Sequence, residues 1–120
     1  MPDGQGRYNV AMPDTSRREK IETMLAEEPQ DTFLRYSLAM ELDKEGDNSQ
    51  SLELFHGLTR DTPPYVPAFF MAAQQLARLG RVAEARSDLR EGIEEARRQG
   101  NAHAAGEMSE FLAGLGSLGE

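Results

Sequence analysis

The chain has two histidines, His56 and His103, and no cysteine among its 120 residues. A transition-metal site needs His, Cys or carboxylate ligands at turn or helix spacing, and neither histidine has a second His or a Cys near it. Adjacent carboxylates, Glu27 with Glu28 and Glu94 with Glu95, are the next candidates for chemistry. General acid–base work needs carboxyls that converge in a water-poor cleft, and neighbours on a helix point in different directions. Arg86, Arg90, Arg97 and Arg98 would suit an anion, but Glu91, Glu94 and Glu95 interleave with them at the i+3 and i+4 distances of a solvated helix. No glycine-rich phosphate loop, nucleophile elbow or Ser/His/Asp arrangement occurs. These residues therefore assign no catalytic residue, no metal and no cofactor, and the expectation is a protein without enzymatic chemistry.

Composition narrows the partners. Thirteen basic against twenty-one acidic residues give a formal net charge of −8, which repels a nucleic-acid backbone and an anionic membrane surface alike. The chain carries no apolar run long enough to cross a bilayer and no basic-then-apolar leader, and the absence of cysteine suits a reducing compartment. The expected setting is the cytoplasm, with no nucleic acid and no membrane as partner.

The elements that must position any site are helical. Residues 1–14 hold Pro2, Gly4, Gly6 and Pro13 without an apolar period and are expected to form a flexible tail; Met12 could serve as an alternative start. Ser16 with Glu19 forms a capping box ahead of a helix over 17–28, which carries Ile21, Met24 and Leu25 and stops before Pro29. Asp31 caps the next helix, 32–45, with Leu34, Leu38, Ala39 and Leu42 on one face and Gly46 at its end. Asp47 and Gln50 open a helix over 48–60 through Leu52, Phe55 and Leu58, ahead of Pro63 and Pro64. The same order recurs as Ala68, Ala72, Ala73 and Leu76 on 66–79, a turn at Gly80, and Val82, Ala85, Leu89, Ile93 and Ala96 on 82–99. Gly100 and Asn101 then lead to a last helix over 102–113 with Ala104, Met108, Phe111, Leu112 and Leu115 on one stripe. Gly114, Gly116 and Gly119 are expected to dissolve the remainder into a second tail, 116–120.

Leu42 and Leu76, Gly46 and Gly80, Ser51 and Ala85, and Phe55 and Leu89 each stand 34 positions apart (80 − 46 = 34). A period of 34 over a helix–turn–helix resembles the tetratricopeptide repeat, and the resemblance covers residues 29–97. Its pattern falls on Arg35, Leu38, Ala39, Leu42, Ser51, Phe55, Leu58 and Pro63, then on Phe69, Ala72, Ala73, Leu76, Ala85, Leu89, Gly92 and Arg97. The departures are Arg35 for a large aromatic, leucine for tyrosine twice, and Arg97 for the last proline, which implies a longer fifth helix. The fold this implies is all-α, a right-handed α-α superhelix of two full helical hairpins, 31–63 and 65–97, with capping helices over 16–28 and 101–114. Together these form one domain over 15–115 with six helices. Members of the family are protein-binding scaffolds. Subtypes that grip acidic C-termini use Lys and Asn at positions where this chain has Tyr36 and Phe70, so that subtype is not expected.

Apart from any family, Phe33, Tyr36 and Met40 form a second apolar stripe half a turn from Leu34, Leu38 and Leu42. One repeat later Phe70, Gln74 and Arg78 align with Tyr36, Met40 and Lys44. Stacked hairpins would make of these seven a groove with an aromatic and methionine floor and a basic edge, suited to a helix or extended peptide of another protein. The basic edge would favour acidic character in that partner. Three alternatives stand beside it. The stripe could be covered by the chain's own Tyr8, Val10 and Met12. It could be consumed, or the end of the last helix could be, in a homodimer. Or the repeats could read RNA, which the acidic charge opposes.

Overall fold

The structure, a computed structural model, describes the backbone of residues 14–119 and the side chains of residues 17–116. Among the described residues the chain is all-helical, with no strand: α1 (Asp14–Glu27), α2 (Thr32–Lys44), α3 (Asn48–Thr59), α4 (Val66–Arg78), α5 (Val82–Arg98) and α6 (Ala102–Gly119). It divides into two compact units, residues 1–51 and 52–120, with the division inside α3. The expected N-terminal tail lies outside the described residues except at Asp14, where α1 begins.

Three glycines close three helices in one way. Gly46, Gly80 and Gly100 have φ of 85°, 79° and 78°, the left-handed region where a side chain is strained and glycine is not. In each case the glycine amide donates to the carbonyl three residues back and the next amide to the carbonyl five back. These are Gly46 to Asp43 and Asp47 to Leu42, Gly80 to Ala77 and Arg81 to Leu76, and Gly100 to Arg97 and Asn101 to Ala96, at 2.7–3.1 Å. Such a doubly bonded C-terminus satisfies carbonyls the helix would otherwise leave open. The residue after each glycine also starts the following helix. The Asp47 carboxylate accepts from the Gln50 amide at 3.4 Å, and the Asn101 side chain accepts from the Ala104 amide at 3.1 Å.

In the first unit α1 packs antiparallel on α2. Arg17 near the start of α1 reaches Glu41 at 3.2 Å, and Arg18 reaches Glu45 at 2.7 Å, both near the end of α2. Asp31 caps α2 as expected, accepting from the Leu34 amide at 2.8 Å. Ile21, Ala39 and Leu42 are buried, and the Ser51 hydroxyl donates to the Ala39 carbonyl at 2.7 Å. Leu34 and Leu38, expected in the core, are only half-buried, and Met24 is exposed. α1 begins at Asp14, so Ser16 lies inside the helix instead of capping it.

In the second unit α5 is the central element. α4 and α6 both pack against it, and both run opposite to it. Gln99 at the end of α5 donates to the Pro64 carbonyl just before α4, at 2.9 Å. Arg86 near its start donates to the Leu115 carbonyl near the end of α6, at 3.1 Å. Ala68, Ala72, Ala73 and Leu76 of α4 and Ala85, Leu89, Ile93 and Ala96 of α5 are all buried, as their spacing predicts. α5 has 17 residues against 12 in α3, as the missing proline implied. α6 runs to Gly119 instead of stopping at Ala113. Each interior glycine costs a helix about 1 kcal/mol relative to alanine, and burial of Leu115, worth about 2 kcal/mol, offsets Gly114 and Gly116.

Gly92 is the tightest point of this packing. A Cβ there would stand 2.6 Å from Phe69 Cβ on α4 and 2.7 Å from Met108 Sδ on α6, so both neighbours would have to retreat. Gly92→Ala is expected to destabilise the protein by about 1–3 kcal/mol, the usual cost of overpacking, despite alanine's better helix propensity. Gly57→Ala, where a Cβ meets nothing within 4 Å, is the control and should be neutral or stabilising. Urea denaturation of both variants checks this, and equal midpoints would refute the close packing at Gly92.

Candidate functional site

Because α4 and α6 lie on the same partner helix and run in the same direction, a trough opens between them. It is a concavity of about 490 Å3, lined by Gln74, Ala77 and Arg78 of α4 and by Glu110, Phe111, Gly114 and Leu115 of α6. The α4 residues stand at i, i+3 and i+4, one face of a helix. Those of α6 fall in two adjacent pairs one turn apart, so each helix offers a single wall. At one end Phe70 meets Phe111 edge to face, with ring centroids 5.6 Å apart and planes at 71°, the arrangement aromatic quadrupoles prefer. Buried Leu115 closes the floor.

Of the seven residues expected to line a groove, the structure brings Gln74 and Arg78 into this concavity and Phe70 into ring contact at its end. Phe33, Tyr36, Met40 and Lys44 lie on α2 in the other unit. There Phe33 is 71% exposed and Met40 37%, Tyr36 is half-buried, and the Lys44 ammonium stands 3.8 Å from Glu41. The α6 wall is what sequence reasoning missed: Phe111 and Leu115 were expected on an apolar stripe but not beside Gln74 and Arg78, and Glu110 was not considered. Its signal was available in Gly100, whose turn folds α6 back along α5 as Gly80 folds α5 along α4.

The residues that first suggested chemistry are dispersed. Glu94 is exposed while Glu95 is buried, where it accepts from Gln99 at 2.9 Å and pairs with Arg98. Arg90, Glu94 and Arg97 are exposed along α5. Arg81 holds Glu84 through two bonds of 2.8 Å, and this keeps the Glu84 carboxyl below its ordinary range. His103 is exposed, 3.5 Å from Glu107. Among the described residues no three His, Asp or Glu side chains gather as a metal site requires, and no helix is long and apolar enough to cross a membrane.

His56 is placed differently from His103. It is half-buried on α3, and its Nε2 lies 2.7 Å from the Asp88 carboxylate on α5. The bond to Asp88 raises the imidazole pKa above its ordinary 6.5; burial opposes this, the charge of Asp88 adds to it, Arg60 opposes it and Glu84 assists slightly. The pair joins two helices within the second unit and has the character of a structural clasp.

Comparison with protein-family models, with curated proteins and with solved structures gives no match for this chain.

Since folding raises the His56 pKa, the clasp contributes fully below pH 6.5 and is lost as pH climbs through the raised value. His56→Gln should therefore cost more stability at pH 5.5 than at pH 8.5, by about 1 kcal/mol for a partly solvated pair. Chemical denaturation at the two pH values measures it. A penalty independent of pH would show that the imidazolium is not the stabilising form.

Proposed function

We propose that this chain is a non-catalytic scaffold of the tetratricopeptide type that holds a peptide or helix of another protein in the trough between α4 and α6. The observation that carries the reading is the trough's make-up. An aromatic edge and an apolar floor supply burial, while Gln74, Arg78 and Glu110 supply directional contacts around it, the combination expected of a recognition site. The helix order, the repeated glycine turn and the burial of Ala39 with Ala73, Leu42 with Leu76, Ser51 with Ala85 and Phe55 with Leu89 support the repeat type. In the first unit, Phe33 and Met40 on α2 are separately exposed. The cytoplasm is the compartment this reading favours, given a chain without cysteine.

The test is a selection of displayed peptides on the immobilised protein, followed by amide-shift mapping of those recovered. Shifts are expected on residues 74–78 and 110–115. Ala77→Trp, which fills the trough, should weaken binding at least tenfold, or about 1.4 kcal/mol, without lowering the melting temperature. Failure to recover any peptide, or binding indifferent to Ala77→Trp, would refute the assignment. Phe33→Ser, at an exposed position, should alter stability by no more than about 0.5 kcal/mol; a larger loss would mean that Phe33 is covered.

A further inference from the structure

We propose that the occupant of the α4/α6 trough is a short amphipathic helix of net basic character, which sets an apolar side chain against Phe111 and Leu115 and a lysine or arginine against Glu110. This rests on the scaffold reading above and adds the shape and charge of the partner.

Shape excludes one otherwise attractive occupant. A concave face is not complementary to itself, so an isologous dimer through the trough would leave it unfilled. What fits a trough between two helices running the same way is a convex rod. A helix laid there makes a third helix beside two others, at the 8–10 Å axis separation that ordinary side chains set. The walls are lowest where such a rod needs room: Ala77 on one side, and Gly114 on the other, where even an added Cβ would meet nothing within 4 Å. Side chains at i and i+4 of the incoming helix could then reach the floor.

Charge fixes the partner's sign. From α4 alone the trough reads as basic, through Arg78, and an acidic ligand would follow. α6 places exposed Glu110 on the opposite wall, so the trough itself holds one charge of each sign. The tie is broken by the chain as a whole, whose formal charge of −8 steers cations toward it and repels acidic peptides. Glu110, exposed on the α6 wall, then takes the cation.

The experiment is a display library of helical 16-residue peptides with apolar residues fixed at i, i+3, i+4 and i+7 and flanks randomised equally among Asp, Glu, Lys and Arg. Selection on the full chain is expected to enrich Lys and Arg on the flank facing α6. The enriched peptides should bind at least tenfold more weakly to Glu110→Lys and should lose affinity as salt rises. Enrichment of Asp and Glu, or indifference to Glu110→Lys with shifts still centred on the trough, would overturn the basic partner while leaving the scaffold standing. Recovery of nothing, or of peptides indifferent to Ala77→Trp, would overturn both. Sedimentation of the protein alone is the parallel measurement: a concentration-dependent dimer abolished by Ala77→Trp would give the trough to a second copy and overturn the proposal, whereas a monomer supports it.

Discussion

The fold depends on a constraint that recurs three times: a helix that ends on a left-handed glycine, with its final carbonyls bonded by the next two amides. An amphipathic helix of 12 to 18 residues has little stability by itself, and its apolar face is useful only if the next helix returns along it. The turns at Gly80 and Gly100 arrange that return within the second unit with no spare residues, because the residue that closes one helix also begins the next. Replacing any of these glycines would place a Cβ in a conformation costing about 1–2 kcal/mol. It would also disturb two helix ends at once. The constraint is therefore steric at the glycine and cooperative beyond it.

In the second unit the turns converge on α5, which explains where the trough lies. Gly92 lets Phe69 approach from α4 and Met108 from α6 at the same level, and the two outer helices come near each other without fully closing. Their remaining gap is the concavity. One glycine thus admits two large side chains, from two different helices, at contact distance. Phe70 and Phe111 bridge one end of that gap, so the trough has a fixed stop there.

Much of this could be read from residue types. Spacing alone placed α2 to α5 to within a residue or so, because each had an apolar period bounded by a capping side chain, a glycine or a proline, and those signals are local. The buried positions of α4 and α5 followed for the same reason. What failed was whatever depended on a partner element or on competition between terms. Leu34 and Leu38 have core periodicity yet remain half-buried, since periodicity marks a face and not how completely it is covered. Glu41 reads as polar surface and is 6% exposed, held by Arg17 from another helix. α6 outran its glycines because a propensity cost is small against the burial of Leu115. The His56–Asp88 pair joins residues 32 apart that carry no mutual signal until α3 and α5 meet.

The candidate site divides along the same line. Gln74 and Arg78 were legible because they share a face with Phe70 on one helix, and a helix face is a local property. Glu110 was not, because a wall acquires meaning only from what stands opposite. This matters for the chemistry of the trough more than for its position. A single helix read alone gave a basic edge, and the second helix cancels that edge with a carboxylate. Once local charges balance, the sign of the partner proposed for the trough rests on the long-range field of a chain at −8, which acts on approach and weakens with salt. For the proposed basic helix, local contacts at Gln74, Phe111 and Leu115 would then decide which of the cations steered toward the trough remains there.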